Sequence, residues 1–384
     1  MEQKIIKSEE LESCLAAIKK ERNVHHALLV CGNSFRKQGL YQQLEDALKK
    51  EGMELTEFSD FEPNPKYESV ISGIKTYRQK GCDLILAAGG GSAMDVAKCI
   101  KLFNCMNVEE NCLKQEIISN EIPFLAIPTT AGTGSETTLA AVITDAETRH
   151  KYAINDFPLI PRYAVLDPKV TLSLPPSITA TTGMDALTHA VEAYIGRSTT
   201  PGTRKDALMA VALIFRNLDD AYEDGTNLEA RRNMLKASYY AGCAFTKSYV
   251  GYVHAVAHSL GGEYNVPHGL ANAILLPFVL EAYGPAIYKK LSTLAVAAGL
   301  ADENTPQDEA AIRFIDAIKA MKKRFRIGNT ISAIHKEDIP KLARYADKEA
   351  NPLYPVPVLM DARKLESFYY QLMKTSDTSD NESV

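Results

Sequence analysis

Apolar and polar residues follow different patterns in the two halves of the chain. In the first half, short apolar runs such as "HALLVCG" (26–32) and "DLILAAGGG" (83–91) predict buried strands. The segments that follow them carry apolar residues at three- and four-residue spacing, which predicts helices. More strands are predicted at "MELTEFSDF", "PFLAIPTTAG" (123–132) and "YAVLDP" (163–168). This alternation indicates an α/β fold with a mainly parallel, Rossmann-like sheet.

The pattern changes after "SLPP" (173–176). Segments such as "TGMDALTHAVEAYIG" and "RKDALMAVALIFRNLDDAY" then carry apolar residues at helical spacing and few β-branched runs. We therefore expect an α/β domain over residues 1–175 and an all-helical domain over residues 176–374. The polar tail 375–384, "TSDTSDNESV", is predicted to be disordered.

Length, net charge and cysteine spacing limit the kind of protein and the kinds of partner that we expect. The 384 residues exceed what one hydrophobic core usually supports, which agrees with two domains. A net charge of −5 without a basic cluster argues against a nucleic-acid partner. The seven cysteines are scattered without a CxxC pair, which is typical of reduced thiols in a cytoplasmic protein. We find no signal peptide and no apolar stretch of about 20 residues, so no membrane contact is expected.

The segment "DLILAAGGGSAMDVAK" places three glycines between a strand and a helix predicted to start at Ser92. Gly89, Gly90 and Gly91 would let backbone N–H groups approach an anion, and the helix dipole would point at it. That arrangement suits the pyrophosphate of a dinucleotide. The alternative is a structural turn in which Ser92 and Asp95 form a capping box. The motif is neither a strict GxGxxG nor a Walker A loop.

A second loop, "PTTAGTGSETT" (128–138), is rich in hydroxyl groups and glycine and also follows a predicted strand. The carboxyl ends of parallel strands lie at one edge of a sheet, so the two loops could reach the same crevice. The alternative is an ordinary surface loop. Two such loops after two strands favour dinucleotide binding.

Histidines recur at ligand spacing in the second half. Asp185 and His189 are four residues apart on a predicted helix, and His254 and His258 repeat the spacing on another. His268 opens a third helical run, where the helix dipole disfavours protonation of the ring. Facing helices could thus assemble one carboxylate and three imidazoles, a set that suits Fe(II) or Zn(II) but not calcium. The alternative is a set of core histidines with hydrogen-bond partners.

Four segments resemble motifs of the iron-containing (group III) alcohol dehydrogenase family, in the family's order, over roughly residues 25–370. They are "AAGGGSAMDVAK", "IPTTAGTGSE", "AVLDPKVTLSLPPSITATTGMDALTHAVEAY" and "VHAVAHSLGGEYNVPHGLANAILLP". The resemblance implies a dinucleotide-binding α/β domain, a helical C-terminal domain and a metal in the cleft between them. It assigns the metal ligands as Asp185, His189, His254 and His268. His258 matches a histidine near the metal that is not usually a ligand, and it is the candidate catalytic residue, as a proton relay.

The resemblance also assigns coenzyme residues. Gly89, Gly90, Gly91 and Ser92 match the family's pyrophosphate turn, and Asp95 in the same motif joins them as a candidate. The other candidates match positions around the nicotinamide half and elsewhere on the coenzyme; they are Thr129, Thr130, Thr138, Lys151 and Asn64.

One position departs from the NAD-specific members of the family. They place an Asp after the first strand, where it accepts hydrogen bonds from the ribose hydroxyls and repels a 2′-phosphate. This chain has Gly32 there, followed by Asn33 and Ser34, with Lys37 close by. Loss of the carboxylate, together with the hydroxyl, amide and ammonium donors nearby, favours NADP(H) over NAD(H) or the use of both coenzymes. The alternative is that Gly32 only turns the chain.

We therefore expect a metal-dependent alcohol dehydrogenase that reduces a small aldehyde to a primary alcohol. Its cofactors would be Fe²⁺, with Zn²⁺ as the alternative, and NADP(H) or NAD(H). The resemblance suggests a homodimer. Two other functions stay open: a lyase of the dehydroquinate-synthase type, and a metal- or nucleotide-binding protein without turnover.

Overall fold

The computed structural model describes residues 3–145 and 151–373. The predicted disordered tail therefore lies outside the described residues. Contacts between Cα atoms divide the chain into two compact units, and the division falls after Ser173.

The first unit is built on a parallel sheet with the strand order β1-β8-β5-β4-β2-β3, beside an antiparallel hairpin of β6 and β7. Its strands are β1 Lys4–Ile6, β2 His26–Cys31, β3 Glu54–Phe58, β4 Leu84–Gly89, β5 Phe124–Pro128, β6 Ala140–Thr144, β7 Lys151–Asn155 and β8 Tyr163–Val165. Its helices are α1 Leu11–Arg22, α2 Gly39–Lys50, α3 Tyr67–Lys80 and α4 Gly91–Phe103.

The central strands are apolar on both faces because helices cover the sheet on both sides. Along β2, Leu28 and Val30 enter one hydrophobic cluster, whereas Ala27 and Leu29 enter the other. The register places Cys31 opposite Ala88 and Gly89 opposite Pro128. The strands β2, β4 and β5 therefore end at one edge of the sheet, and the loops that follow them share that edge.

The predicted α/β fold is confirmed. The sequence pattern does not predict β1 or the β6–β7 hairpin, however. β1 has three residues inside a charged segment and is held by pairing with β8, which lies far along the chain. Such non-local pairing leaves no local signal in the sequence.

The second unit is mostly helical, as predicted. Its helices are α5 Pro176–Ile195, α6 Pro201–Glu223, α7 Leu228–Ser248, α8 Tyr252–Tyr264, α9 His268–Tyr283, α10 Tyr288–Ala297, α11 Gln307–Arg324, α12 Ile339–Ala350 and α13 Ala362–Leu372. The helix α5 packs against α9, and α8 packs against both α9 and α12. These contacts bring together the helices that carry the candidate ligands.

One described stretch, residues 268–297, is long and apolar enough by composition to cross a membrane. Of its most apolar window, 61% is buried inside the protein. The stretch comprises the two helices α9 and α10 and begins with His268, a candidate metal ligand.

Candidate metal and coenzyme sites

The four predicted metal ligands come together in the second unit. Asp185 and His189 lie one turn apart on α5, His254 lies on α8, and His268 is the first residue of α9. One ligand atom from each residue lies within 4.8 Å of the others. Three of these side chains are buried, and that of His268 is partly exposed. One carboxylate and three imidazoles at this spacing fit a divalent first-row metal.

The amide of Asn272 supports that fit. Its Nδ2 lies 2.7 Å from Asp185 Oδ1 and 3.1 Å from the Nε2 atoms of both His254 and His268. One carboxylate oxygen and two ring nitrogens of the candidate ligands therefore converge on the point where this N–H₂ group lies. A cation requires potential ligand atoms that converge in this way. Sequence reasoning missed Asn272, which lies one helical turn after His268.

Glu192 orients one of the ligands. Its Oε2 lies 2.5 Å from His254 Nδ1, while its Oε1 accepts a hydrogen bond of 2.8 Å from the Val253 N–H. Burial raises the pKa of Glu192 to about 8, but backbone N–H donors, including that of Gly251, oppose the rise and favour the carboxylate. Burial lowers the pKa of His254 well below its usual value. A neutral ring that donates from Nδ1 leaves the Nε2 lone pair free for a metal.

Sequence reasoning also missed Glu192, although a signal was present. It lies seven residues after Asp185 and three after His189, which places the three residues on one face of α5. A carboxylate continuing a row of candidate ligands is the pattern that could have revealed it.

His258 lies beside the four ligands and not among them. Its ring stacks on that of His268 with the centroids 5.2 Å apart, and its Nδ1 lies 2.7 Å from Glu349 Oε1 on α12. The Tyr354 hydroxyl donates to the same oxygen at 2.7 Å. Burial alone would raise the pKa of Glu349, but His258 and Tyr354 hold it below its usual range. Glu349 is thus an ionised acceptor for His258, and sequence reasoning missed it.

The glycine turn and the Thr-rich loop of the first unit are in contact. The Thr129 N–H donates to the Gly89 carbonyl at 3.0 Å. A Cβ added at Gly90 would lie 3.3 Å from Thr130 Oγ1, and one at Gly89 would lie 2.5 Å from the Ala93 Cβ. The glycines therefore allow a close approach that side chains would block. As predicted, the two loops share one edge of the sheet.

The capping-box alternative for this turn is wrong. The helix α4 begins at Gly91, one residue before Ser92, and its N-cap residue is Gly90, with no side-chain hydrogen bond to the helix end. Because the helix starts earlier than its polar residues suggest, Ser92 and Asp95 lie inside the helix and cannot act as the two halves of a capping box.

Two other candidates, Asn64 and Lys151, are brought into contact with each other. Lys151 Nζ lies 2.8 Å from Asn64 Oδ1, and Asn64 adopts a left-handed backbone conformation with a φ of 56°. The Thr144 N–H donates to the Pro65 carbonyl at 2.8 Å, which fixes the segment after Asn64 along the β6–β7 hairpin. The fold thus brings a lysine and an amide side chain into contact although they lie 87 positions apart in the sequence.

The candidates after β2 lie at the same edge as the glycine turn, because Cys31 pairs with Ala88. Asn33 and Ser34 are exposed, and Gly32 is partly exposed. Arg36, which sequence reasoning missed, forms an ion pair with Glu57, with 2.6 Å between Nε and Oε2.

Thr138, which is buried, and Asp95, which is partly buried, both lie near Lys98. The Thr138 hydroxyl is buried and lies 2.8 Å from Lys98 Nζ. An Asp95 carboxylate oxygen lies 3.5 Å from Ser135 Oγ, and burial raises the pKa of Asp95 to about 6. Both side chains therefore take part in a buried polar network around Lys98, and their direct contact with a coenzyme stays a prediction.

Two family models match nearly all of the described chain. The model described as iron-containing alcohol dehydrogenase matches residues 3–168, and that of the family's C-terminal domain matches residues 179–372. This chain belongs to the iron-containing alcohol dehydrogenase family. The resemblance that rests on the four motifs is thereby confirmed, and the protein is an alcohol dehydrogenase and hence an oxidoreductase.

Individual relatives agree with this assignment. The 1,3-propanediol dehydrogenase of Klebsiella pneumoniae is 39% identical over 334 residues, which cover 85% of this chain and 86% of the relative. The crystal structure of a 1,3-propanediol oxidoreductase superposes with a TM-score of 0.88 at 36% identity, covering 94% of this chain and 96% of that one. Membership implies an iron-type divalent metal, a nicotinamide coenzyme, and a small alcohol or aldehyde as substrate.

Two further relatives of this iron-type dehydrogenase carry different coenzymes in their names. The NAD-dependent methanol dehydrogenase of Bacillus methanolicus is 34% identical, covering 85% of this chain and 87% of the relative. The NADPH-dependent butanol dehydrogenase of Clostridium saccharobutylicum is 35% identical, covering 81% of each chain. Sequence similarity to these relatives therefore does not distinguish between NAD and NADP as the coenzyme of this chain.

Proposed function

We propose that this dehydrogenase reduces small aldehydes to primary alcohols, with hydride passing between nicotinamide C4 and the carbonyl carbon. The observation that carries the proposal is the convergence of Asp185, His189, His254 and His268 within 4.8 Å. These four residues would hold Fe²⁺ or, as the alternative, Zn²⁺. The metal, when bound, supplies a Lewis acid that polarises the oxygen of the substrate.

The side chains around the ligands keep them in the required state. Glu192 accepts from His254 Nδ1, which fixes the ring with Nε2 directed at the other ligands. Burial of Asp185 and His189 on α5 excludes water from that side of the cluster. Exclusion of water strengthens the electrostatic interactions on which polarisation of a carbonyl depends.

Aldehyde reduction also consumes one proton, and we assign its delivery to His258. The ring donates from Nδ1 to the Glu349 carboxylate, so Nε2 is the atom that exchanges a proton when the ring is charged. Tyr354, which donates to the same carboxylate oxygen, holds Glu349 in place. Because the side chain of His258 is 22% exposed, its proton can be replaced from solvent.

We propose NADP(H) as the preferred coenzyme. The edge of the sheet after β2 offers Gly32, Asn33 and Ser34 in place of an acidic residue, so no carboxylate at these positions repels a 2′-phosphate. We further propose that the protein works in the cytoplasm as a homodimer, independently of membranes and nucleic acid. The net charge of −5 supports the absence of a nucleic-acid partner.

The test is anaerobic oxidation of NADPH and, separately, NADH by Fe(II)-loaded protein with a panel of two- to four-carbon aldehydes. We expect turnover that depends on the metal, that is faster with NADPH, and that His268→Ala abolishes. No turnover with either coenzyme, despite bound metal, would contradict the proposed reaction. Faster turnover with NADH would contradict the coenzyme assignment alone.

A further inference from the structure

The first unit contains a fully buried lysine that the proposed reaction does not use. Lys98 lies on α4, two helical turns after the glycine turn, and its relative exposure is 0%. Its Nζ lies 3.0 Å from Ser135 Oγ, 2.9 Å from the Thr138 carbonyl, 2.8 Å from Thr138 Oγ1 and 2.8 Å from the Ala140 carbonyl. Four oxygens thus surround one ammonium group.

Burying an ammonium group costs free energy, which hydrogen bonds must offset. The shell around Lys98 consists of hydroxyl and carbonyl oxygens, and within the described ranges no carboxylate forms an ion pair with it. The charges of Asp95 and Glu136 act on it through space. Burial outweighs these charges and lowers the pKa of Lys98 to about 8. An ammonium ion held in this way resembles a cation in an oxygen-lined site.

The four oxygens belong to one short segment, and that segment continues the Thr-rich loop. The Ser135 N–H donates to Thr133 Oγ1 at 3.3 Å. At the other end of the loop, the Thr129 N–H donates to the Gly89 carbonyl. The loop is therefore held at two points, by the Gly89 carbonyl at the end of β4 and by Lys98 on α4.

We infer that Lys98 is a positioning residue for the coenzyme: its ammonium group is an internal cation that fixes residues 129–140 against the glycine turn. The inference rests on the proposed coenzyme site, because it gives a role to the loop that would hold the nicotinamide half. Removal of the ammonium leaves the fold of the sheet in place but releases the loop, so coenzyme affinity falls.

The same helix offers a matched control. Lys101 is also buried, with 5% relative exposure, and its Nζ lies 3.1 Å from the Asn120 carbonyl and 3.2 Å from Asn120 Oδ1. It therefore holds a different loop, which contains none of the coenzyme candidates. Lys101→Met removes a buried lysine of equal size from α4 without touching residues 129–140.

The experiment compares full-length, metal-loaded wild type with Lys98→Met, Lys98→Ala and Lys101→Met. The coenzyme Kd is measured by titration of NADPH and NADH fluorescence, together with bound metal and the melting temperature. We expect Lys98→Met to raise the Kd by about tenfold or more, since hydrogen bonds to a buried charge are lost. Metal content should be unchanged, and Lys101→Met should leave the Kd close to that of wild type.

Rescue of Lys98→Ala separates a cation-specific role from loss of stability. The truncation leaves a space bounded by the four oxygens, and ammonium or ethylammonium ions can occupy it. We expect either ion at high concentration to lower the Kd of Lys98→Ala towards the wild-type value and to leave Lys101→Met unaffected. The rescue measurement needs only Lys98→Ala, so it tests the inference even if Lys98→Met does not fold.

An unchanged Kd in Lys98→Met, or an equal rise in Lys101→Met, would overturn the inference. So would a Kd of Lys98→Ala that ammonium ions do not lower. If the wild-type protein itself binds neither NADPH nor NADH, the proposed coenzyme site fails, which is a separate result from failure of Lys98 within a working site.

Discussion

The two units hold their candidate sites by opposite means. In the helical unit, long side chains from α5, α8 and α9 converge, and the buried Glu192 carboxylate is surrounded by N–H donors. In the α/β unit, glycines bring backbone and loop together, and the buried Lys98 ammonium is surrounded by oxygens. The metal site should therefore be sensitive to removal of side chains, and the glycine turn to their addition.

The largest effect should come from removing a ligand in the helical unit. We predict that His254→Ala lowers metal-dependent kcat by about a thousandfold, because polarisation of the substrate oxygen is worth several kcal/mol. Metal content by mass spectrometry and the rate of NADPH oxidation measure this effect. The control is His25→Ala, an exposed histidine of the other unit. Retention of metal and rate in His254→Ala would remove His254 from the ligand set.

Removal of a partner that touches only a ligand should have a smaller effect. We predict that Glu192→Gln weakens metal affinity by about 10- to 100-fold, because the amide oxygen of Gln accepts a weaker hydrogen bond from His254 Nδ1 than a carboxylate does. Competition with a chromogenic chelator measures the affinity. An affinity equal to that of wild type would show that Glu192 does not orient His254.

Addition of one methyl group should be enough to disturb the α/β unit. A Cβ at Gly89 would lie 2.5 Å from the Ala93 Cβ, so we predict that Gly89→Ala costs about 1–3 kcal/mol of unfolding free energy. It should also raise the coenzyme Kd while metal affinity stays unchanged. Gly39→Ala is the control, since a Cβ there meets nothing within 4 Å. Equal behaviour of the two variants would contradict a requirement for close approach at Gly89.

The smallest effect should be a pH dependence of coenzyme affinity that Lys98 of the α/β unit controls. Lys98, with its pKa lowered by burial to about 8, is mostly charged at pH 7 and loses its proton above pH 8. The acids facing it, Asp95 and Glu136, have pKa values of about 6 and 7 and are ionised in that range, while the raised pKa of Cys99 keeps its thiol neutral. Coenzyme affinity should therefore fall from pH 7.5 to pH 9.

The fluorescence titration that gives the coenzyme Kd measures this pH dependence, with Lys98→Met as the control. The variant has no ammonium group to lose, so its Kd should not change over the same interval. A wild-type Kd that is also constant, or a variant that follows the wild-type profile, would show that Lys98 does not control binding through its charge.

The sequence predicts those parts of the sites that depend on local spacing. Asp185 and His189 share a helix face because they are four residues apart, and that spacing is visible without a structure. The strand-then-glycine pattern likewise places Gly89 at the end of β4. In these cases the local sequence determines which face of a helix a side chain occupies, or where a strand ends.

The parts that could not be predicted depend on residues far apart in the chain. Glu349 meets His258 across 91 positions, and Lys98 meets the Ala140 carbonyl across 42. Neither pairing leaves a periodic signal, because packing of the helices and loops determines it. The start of α4 at Gly91 could not be predicted either, because the polar residues that suggested a start at Ser92 lie inside the helix, one residue (Ser92) and four residues (Asp95) after its first residue.

The most direct test of the central claim is a titration of metal-free protein with Fe(II) under anaerobic conditions, with NADPH oxidation by a short aldehyde as the readout. We predict that the rate rises in proportion to bound metal and reaches its plateau at one ion per chain. A full rate in the presence of a strong chelator, or a rate that does not depend on bound metal, would contradict a metal-dependent alcohol dehydrogenase.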